Sequence, residues 1–103
     1  MLLNSTDAAK IALEFLMSEW SIPEKYQGWF TIFSSRLLGV SWYVVELGIE
    51  GLPDRWHLQV YDNGECDPSY TFNSPIPVTE NNTDLESLPE LIAQMLAAER
   101  NMR

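Results

Sequence analysis

The eleven residues from His57 to Asp67, HLQVYDNGECD, hold the only histidine and the only cysteine of the chain together with three carboxylates. Three chemistries use those residue types. A thiolate activated by an imidazole within hydrogen-bond reach is a nucleophile. Closely spaced carboxylates hold hard cations such as calcium, and a histidine joined by further His or Cys ligands holds zinc. Which of these is open depends on the faces to which the side chains point, and that is a question of strand register.

Asn63-Gly64 suggests a two-residue hairpin loop, pairing Tyr61 with Cys66, Val60 with Asp67 and Leu58 with Ser69. That sets the apolar residues of one strand beside the polar residues of the next, which a half-buried sheet resists. A three-residue loop, with Asp62-Asn63 in a type I turn and Gly64 left-handed, moves every pair by one. Trp56 then faces Tyr70, Leu58 faces Pro68 and Val60 faces Cys66 on one side. Arg55 with Thr71, His57 with Ser69, Gln59 with Asp67 and Tyr61 with Glu65 lie on the other. Pro68 also gains a position with its nitrogen toward the free edge.

In this register Cys66 points inward and His57 outward. The rejected register leaves His57 four residues from the Cys66 pair, ~13 Å along the strand. A Cys-His dyad is therefore not expected, and Cys66 is expected to be a small core residue. Asp62, Glu65 and Asp67 lack the alternating ligands and terminal bidentate Glu of an EF-hand loop. They read as a solvated acidic turn, and His57 alone is a poor zinc ligand. No catalytic residue, metal or cofactor is expected.

The elements around this hairpin follow from periodicity. Asp7 to Trp20 is predicted helical, capped by Ser5 or Thr6, with Lys10, Glu14, Met17 and Ser18 on one side. Ala8, Ala9, Ile11, Ala12, Phe15, Leu16 and Trp20 lie on the other, the alanines permitting close approach to a sheet. Glu19 falls inside the apolar arc, so either it is buried or the helix frays before Ser21-Ile22-Pro23 and releases it to water. From Trp29 to Phe72 the period becomes two and β-formers dominate. Four strands are predicted, at about Trp29–Arg36, Ser41–Ile49, Arg55–Tyr61 and Glu65–Phe72, joined by turns short enough for an antiparallel meander. The prolines of Asn73 to Val78, Pro75 and Pro77, interrupt any further strand. Thr83 with Glu86 and Ser87 with Glu90 form two capping boxes ahead of a helix from Leu88, with Pro89 in its first turn. Its stripe is Leu88, Leu91, Ile92, Met95 and Leu96, and Arg100 to Arg103 suit its negative end.

The fold class is thus α+β, an N-terminal helix packed on a four-stranded antiparallel meander with a C-terminal helix, in one domain spanning residues 1–103. Fifteen acids against six basic residues leave a net charge of -9. That balance disfavours nucleic acid and anionic membrane and favours a protein partner. The start Met1 to Ser5 has neither a basic region nor a long apolar run, so neither a signal peptide nor a span is expected. A single cysteine fits a reducing cytoplasm, where the N-x-T triplets at Asn4 and Asn81 carry no meaning.

A four-residue loop from Gly51 to Asp54 pairs Ile49 with Trp56, Leu47 with Leu58 and Val45 with Val60 on an apolar inner face. The outer face then shows Trp42, Val44 beside Tyr61, Glu46 beside Gln59, and His57 near Gly48. Exposed, this is a binding patch of Trp42, Val44, Glu46, His57 and Tyr61, rich in residues that anchor interfaces. Covered, it lies under the C-terminal helix, the Pro75 to Pro77 stretch or a second copy, a homodimer through this face or an edge strand being one such arrangement.

The order of helix, meander and helix, with the acidic balance, resembles the small cystatin-like α+β domains of uncharacterised bacterial proteins, including some immunity proteins. The resemblance implies a binding or inhibitory module rather than an enzyme, and transfers no site residue. Three functions follow as expectations: a non-catalytic acidic protein-binding module, an immunity-type or secretion-chaperone-like protein with a basic client, and a small enzyme with a pocket around Glu46, His57 and Tyr61, His57 acting as base.

Overall fold

The computed structural model describes residues 3–76 and 83–102. Its order is α1 (Ser5–Glu19), a 3-10 turn (Glu24–Trp29), β1 (Phe30–Leu38), β2 (Trp42–Ile49), β3 (Arg55–Tyr61), β4 (Thr71–Asn73), a short 3-10 turn (Thr83–Leu85) and α2 (Glu90–Asn101). The strands form one antiparallel sheet in the order β1-β2-β3-β4, so the α+β meander between two helices is present. Pro77, Val78, Asn81 and Arg103 lie outside the described residues.

Asn4, rather than Ser5 or Thr6, caps α1: its Oδ1 accepts the Asp7 amide at 2.8 Å. Ala8, Ala12 and Leu16 are fully buried, so small side chains do bring the helix onto the sheet. Met17, expected on the polar side, is buried as well. The helix ends in a Schellman motif, with Ser21 left-handed at φ 52° and the Ile22 amide donating to Met17 O at 2.8 Å. That reversal folds Ile22 onto Met17 and closes both from water. Glu19, one residue before the cap, is exposed.

The inner sheet face carries Tyr43, Val45, Leu47 and Ile49 on β2, and Trp56, Leu58 and Val60 on β3, all buried. Trp56 is its centre, with the rings of Phe30 at 6.0 Å and Phe72 at 5.2 Å. Both helices pack on this side. Ala8, Ala12 and Leu16 of α1 share one core with Ile92, Met95 and Leu96 of α2, and the Trp56 indole donates to Glu99 of α2 at 2.6 Å. Among the described residues no helix is long and apolar enough to cross a membrane.

The hairpin at Asp62 to Gly64 has the three-residue form. Gly64 sits at φ 89°, the Tyr61 amide donates to Glu65 O at 2.8 Å, and Val60 bridges Cys66. Asp67 keeps its expected place opposite Gln59, its amide donating to Gln59 O at 2.8 Å, but beyond Asp67 the ladder breaks and the strand resumes only at Thr71, where Phe72, not Tyr70, faces Trp56. Asp67 holds the Ser69 amide at 2.8 Å, a local turn that takes Pro68, Ser69 and Tyr70 out of the sheet. The middle hairpin keeps its parity but slips by two residues, with Leu47 opposite Trp56, Val45 opposite Leu58 and Tyr43 opposite Val60. The loop now includes Ile49 and Glu50 and ends at Asp54, whose side chain is buried in the core.

α2 starts two residues later than expected. Pro89 is its N-cap without a side-chain hydrogen bond, so the Ser87–Glu90 capping box is not used, and Leu91 is exposed. Arg100, read as a cation suited to the negative helix end, is 1 % exposed. Its Nε and Nη2 donate to the two oxygens of Asp54, each at 2.8 Å, and Nη1 and Nη2 donate to Asp84 at 3.2 and 2.9 Å.

Candidate functional site

Both helices cover one face, and among the described residues no helix covers the opposite face. Its side chains stand in rows across β1, β2 and β3: Leu38, Trp42 and Tyr61; Arg36, Val44 and Gln59; Ser34, Glu46 and His57; Thr31, Gly48 and Arg55. All five residues of the expected patch, Trp42, Val44, Glu46, His57 and Tyr61, are on this face. The two-residue slip changes their neighbours. Tyr61 now lies beside Trp42, and His57 beside Glu46.

Glu46 is the electrostatic centre of the face. Its Oε2 is 3.4 Å from Arg55 Nε and its Oε1 3.7 Å from His57 Nε2. All three side chains are about a third exposed, so these contacts contribute orientation more than stability. The Arg55 guanidinium lies 3.8 Å above the centre of the Phe33 ring, a cation–π stack. Gly48 makes room for it, since a Cβ there would sit 2.6 Å from Asp54 O and 3.3 Å from the Phe33 ring.

Phe33 was not among the expected patch residues. A bulge between Ile32 and Ser34 turns it outward beside Ser34. The broken alternation Phe30-Thr31-Ile32-Phe33-Ser34 is the signal in the sequence that marks such an insertion.

Tyr61 is tied to the neighbouring turn. Its hydroxyl donates to Asp67 Oδ2 at 2.9 Å, which raises the phenol above its ordinary pKa. Asp67 is held below the usual carboxylate range, chiefly by the Ser69 amide and then by Tyr61. His57 is four residues back along β3, ~13 Å away. Glu46, His57 and Tyr61 therefore form a pair and a separate residue on one sheet surface, and do not converge on a common point as a reacting group requires.

Cys66 is partly buried, and its thiol is pushed up to about 11 by burial first and the Asp67 charge second. Among the described residues no cluster of three or more His, Cys, Asp and Glu could hold a metal ion.

The apolar surface is unevenly distributed. Eight large hydrophobic residues are exposed among those described, and six of them, Trp29, Phe33, Leu37, Leu38, Val40 and Trp42, belong to β1, β2 and the residues beside them. Those six fall between Glu24 and Glu46, where the sequence has no Asp or Glu. The acids cluster elsewhere, with Asp7, Glu14, Glu19, Glu86 and Glu90 exposed on the two helices and beside them.

Comparison with known protein families, curated proteins and solved structures finds no match for this chain.

Proposed function

We propose that this chain is a non-catalytic protein-binding module whose contact surface is the helix-free sheet face. The class is that of a small α+β domain with one helical and one open face, an arrangement in keeping with its resemblance to cystatin-like binding domains. The observation that carries the reading is the exposed apolar surface of Phe33, Leu38, Trp42 and Val44, continued by Tyr61, with Arg36, Arg55 and His57 beside it and Glu46 held between Arg55 and His57. Aromatic and arginine side chains on a rigid sheet are the residue types that dominate interface energetics. Of the carboxylates on this face, Glu46 is engaged by Arg55 and His57 and Asp67 by the Tyr61 hydroxyl, so a partner here meets a surface unlike the acidic helical side.

A narrower reading is an immunity-type or secretion-chaperone-like role, favoured by the exposed acids on the helical side, which would draw in a basic client. The two readings place the contact on opposite faces. Immobilised wild-type protein, Trp42→Ala and a Glu14→Lys/Glu90→Lys double variant, each confirmed folded, are compared for what they retain from native lysate. Any retained protein is then rebuilt as a purified binary complex. Loss of that complex with Trp42→Ala alone supports the sheet face, and loss with the double lysine variant alone supports the basic-client reading. Retention of nothing, or equal retention by all three proteins, refutes both.

A further inference from the structure

We propose that two copies of this chain pair antiparallel along β1 about a two-fold axis, joining their sheets into one of eight strands. Pairing uses the backbone edge of β1 and shares only the side chains of Phe33, Arg36 and Leu38 with the proposed contact surface, so the two surfaces are tested separately.

The two edges of the sheet are unequal. β4 has three residues and lies between Pro68 and Pro75. β1 has nine residues, Phe30 to Leu38, with no proline and one charge, Arg36. It is the longest strand of the sheet, and its outward backbone groups form an open template. Inward-pointing charges, prolines and short length are among the usual protections of an edge, and β1 has none of these three; its bulge at Phe33, otherwise a further protection, sets the two-fold register.

What selects a second copy is self-complementarity. With the axis between Phe33 and Ser34, Thr31 pairs with Arg36 of the other copy, Ile32 with Ser35 and Phe30 with Leu37. Thr31, Phe33, Ser34 and Arg36 face outward, and Phe30, Ile32, Ser35 and Leu37 face inward, so every pair joins residues of the same face. The bulge at Phe33 makes this so, because an uninterrupted strand in that register would set inner against outer. Pairing also brings the Trp29 end of one strand to the Leu38 end of the other, twice. All three of Trp29, Leu37 and Leu38 are exposed in the single chain.

Charge points to the same occupant. Each copy carries a net charge of -9, so most approaches of two copies oppose carboxylates. The β1 edge lies in the stretch from Lys25 to Val45 that contains none, and in the two-fold register Arg36 meets Thr31 rather than its own image.

The test is the mass in solution over a range of concentrations, by sedimentation velocity, for wild type and three variants. Wild type is expected at twice the 11.8 kDa chain mass. Leu37→Glu changes an exposed inner-face residue at the edge and leaves the outer face intact. It should weaken the dimer about 30-fold or more while circular dichroism and the urea midpoint stay near wild type. Trp42→Ala, on β2, should leave the dimer unchanged. Ser34→Cys in a Cys66→Ser background should form an intermolecular disulfide under mild oxidation, because it sits beside the axis, whereas Gln59→Cys should not. A monomer at every concentration, a dimer indifferent to Leu37→Glu, or a dimer that does not cross-link through Ser34→Cys overturns the proposal. Loss of partner capture by Trp42→Ala is read in a separate assay, so either surface can fail without the other.

Discussion

Replacing Arg100 by methionine should be among the most damaging single changes in this protein, although position 100 is near the end of the chain. The guanidinium is 1 % exposed and meets Asp54, itself fully buried, through two bonds of 2.8 Å. Methionine keeps most of the volume but leaves the Asp54 carboxylate without its counter-charge. Removing one partner of a buried pair costs about 3–5 kcal/mol, because the remaining charge has lost both water and its ion. A domain of this size has about 5–15 kcal/mol in total. At about 4–8 °C per kcal/mol the melting temperature should fall on the order of 20 °C. Asp84, with its side chain 37 % exposed, is the weaker arm, and Asp84→Asn should cost about 1 kcal/mol or less. Arg100 holds the Asp84 carboxyl below the usual range. Its contribution is therefore complete above the unfolded carboxylate pKa and is lost as pH falls through the lower folded value. That acid-side loss should be reduced in Arg100→Met. Urea unfolding at neutral and acid pH measures both effects, and Asp54→Asn/Arg100→Met should recover much of the loss. An Arg100→Met protein within about 1 kcal/mol of wild type would refute the reasoning, since it would mean that Asp54 finds water or another partner at no cost.

Trp56→Phe keeps the aromatic packing but removes the indole donor 2.6 Å from Glu99, a carboxylate only 5 % exposed, and should cost about 1–3 kcal/mol by urea unfolding. Gly48→Ala places a Cβ 2.6 Å from the Asp54 carbonyl, so it should destabilise by about 1–3 kcal/mol and disturb the Arg55–Phe33 stack, seen as chemical-shift changes at Phe33. With its thiol raised to about 11, Cys66 should react with iodoacetamide at pH 8 about two orders of magnitude more slowly than a free cysteine. Reaction at the free rate would mean that the hairpin is open.

What the sequence disclosed, and what it hid, divides along a physical line. Side-chain parity is an alternation, so a strand pair that slips by two residues keeps every residue on its face. That is why the five patch residues and the inward Cys66 were legible although the β2–β3 pairing was not. The slip takes Ile49 and Glu50 out of the β2–β3 ladder and lengthens the loop that carries Asp54 to Arg100, a residue 46 positions away. No local pattern carries it. Arg100 read as a helix-end cation because dipole chemistry and burial select the same residue type at that position. Met17 read as solvent-facing because helical angle alone places it beside Glu14, whereas a reversal starting at Ser21 decides its burial. In each case local periodicity set the element and a long-range or capping contact set its end.

The same division bears on function. A histidine, a cysteine and three acids within eleven residues invite a catalytic reading, yet a strand disperses neighbours in sequence to opposite faces and over ~3.3 Å per residue. Side chains meet instead across the ladder, where Glu46 reaches both Arg55 and His57, and Trp42 stands beside Tyr61. Placing both helices on one side buries Trp56, Leu58 and Val60 and leaves the cross-strand rows without a wall. Catalysis needs groups converging on one point from several directions; recognition needs a stable surface whose side chains point the same way. The arrangement of charge follows that surface in part, with Asp7, Glu14, Glu19, Glu86 and Glu90 exposed on or beside the helices and no carboxylate in the sequence between Glu24 and Glu46. In an otherwise acidic molecule, the stretch of sequence free of carboxylates is therefore the one that also carries the exposed aromatic side chains Trp29, Phe33 and Trp42.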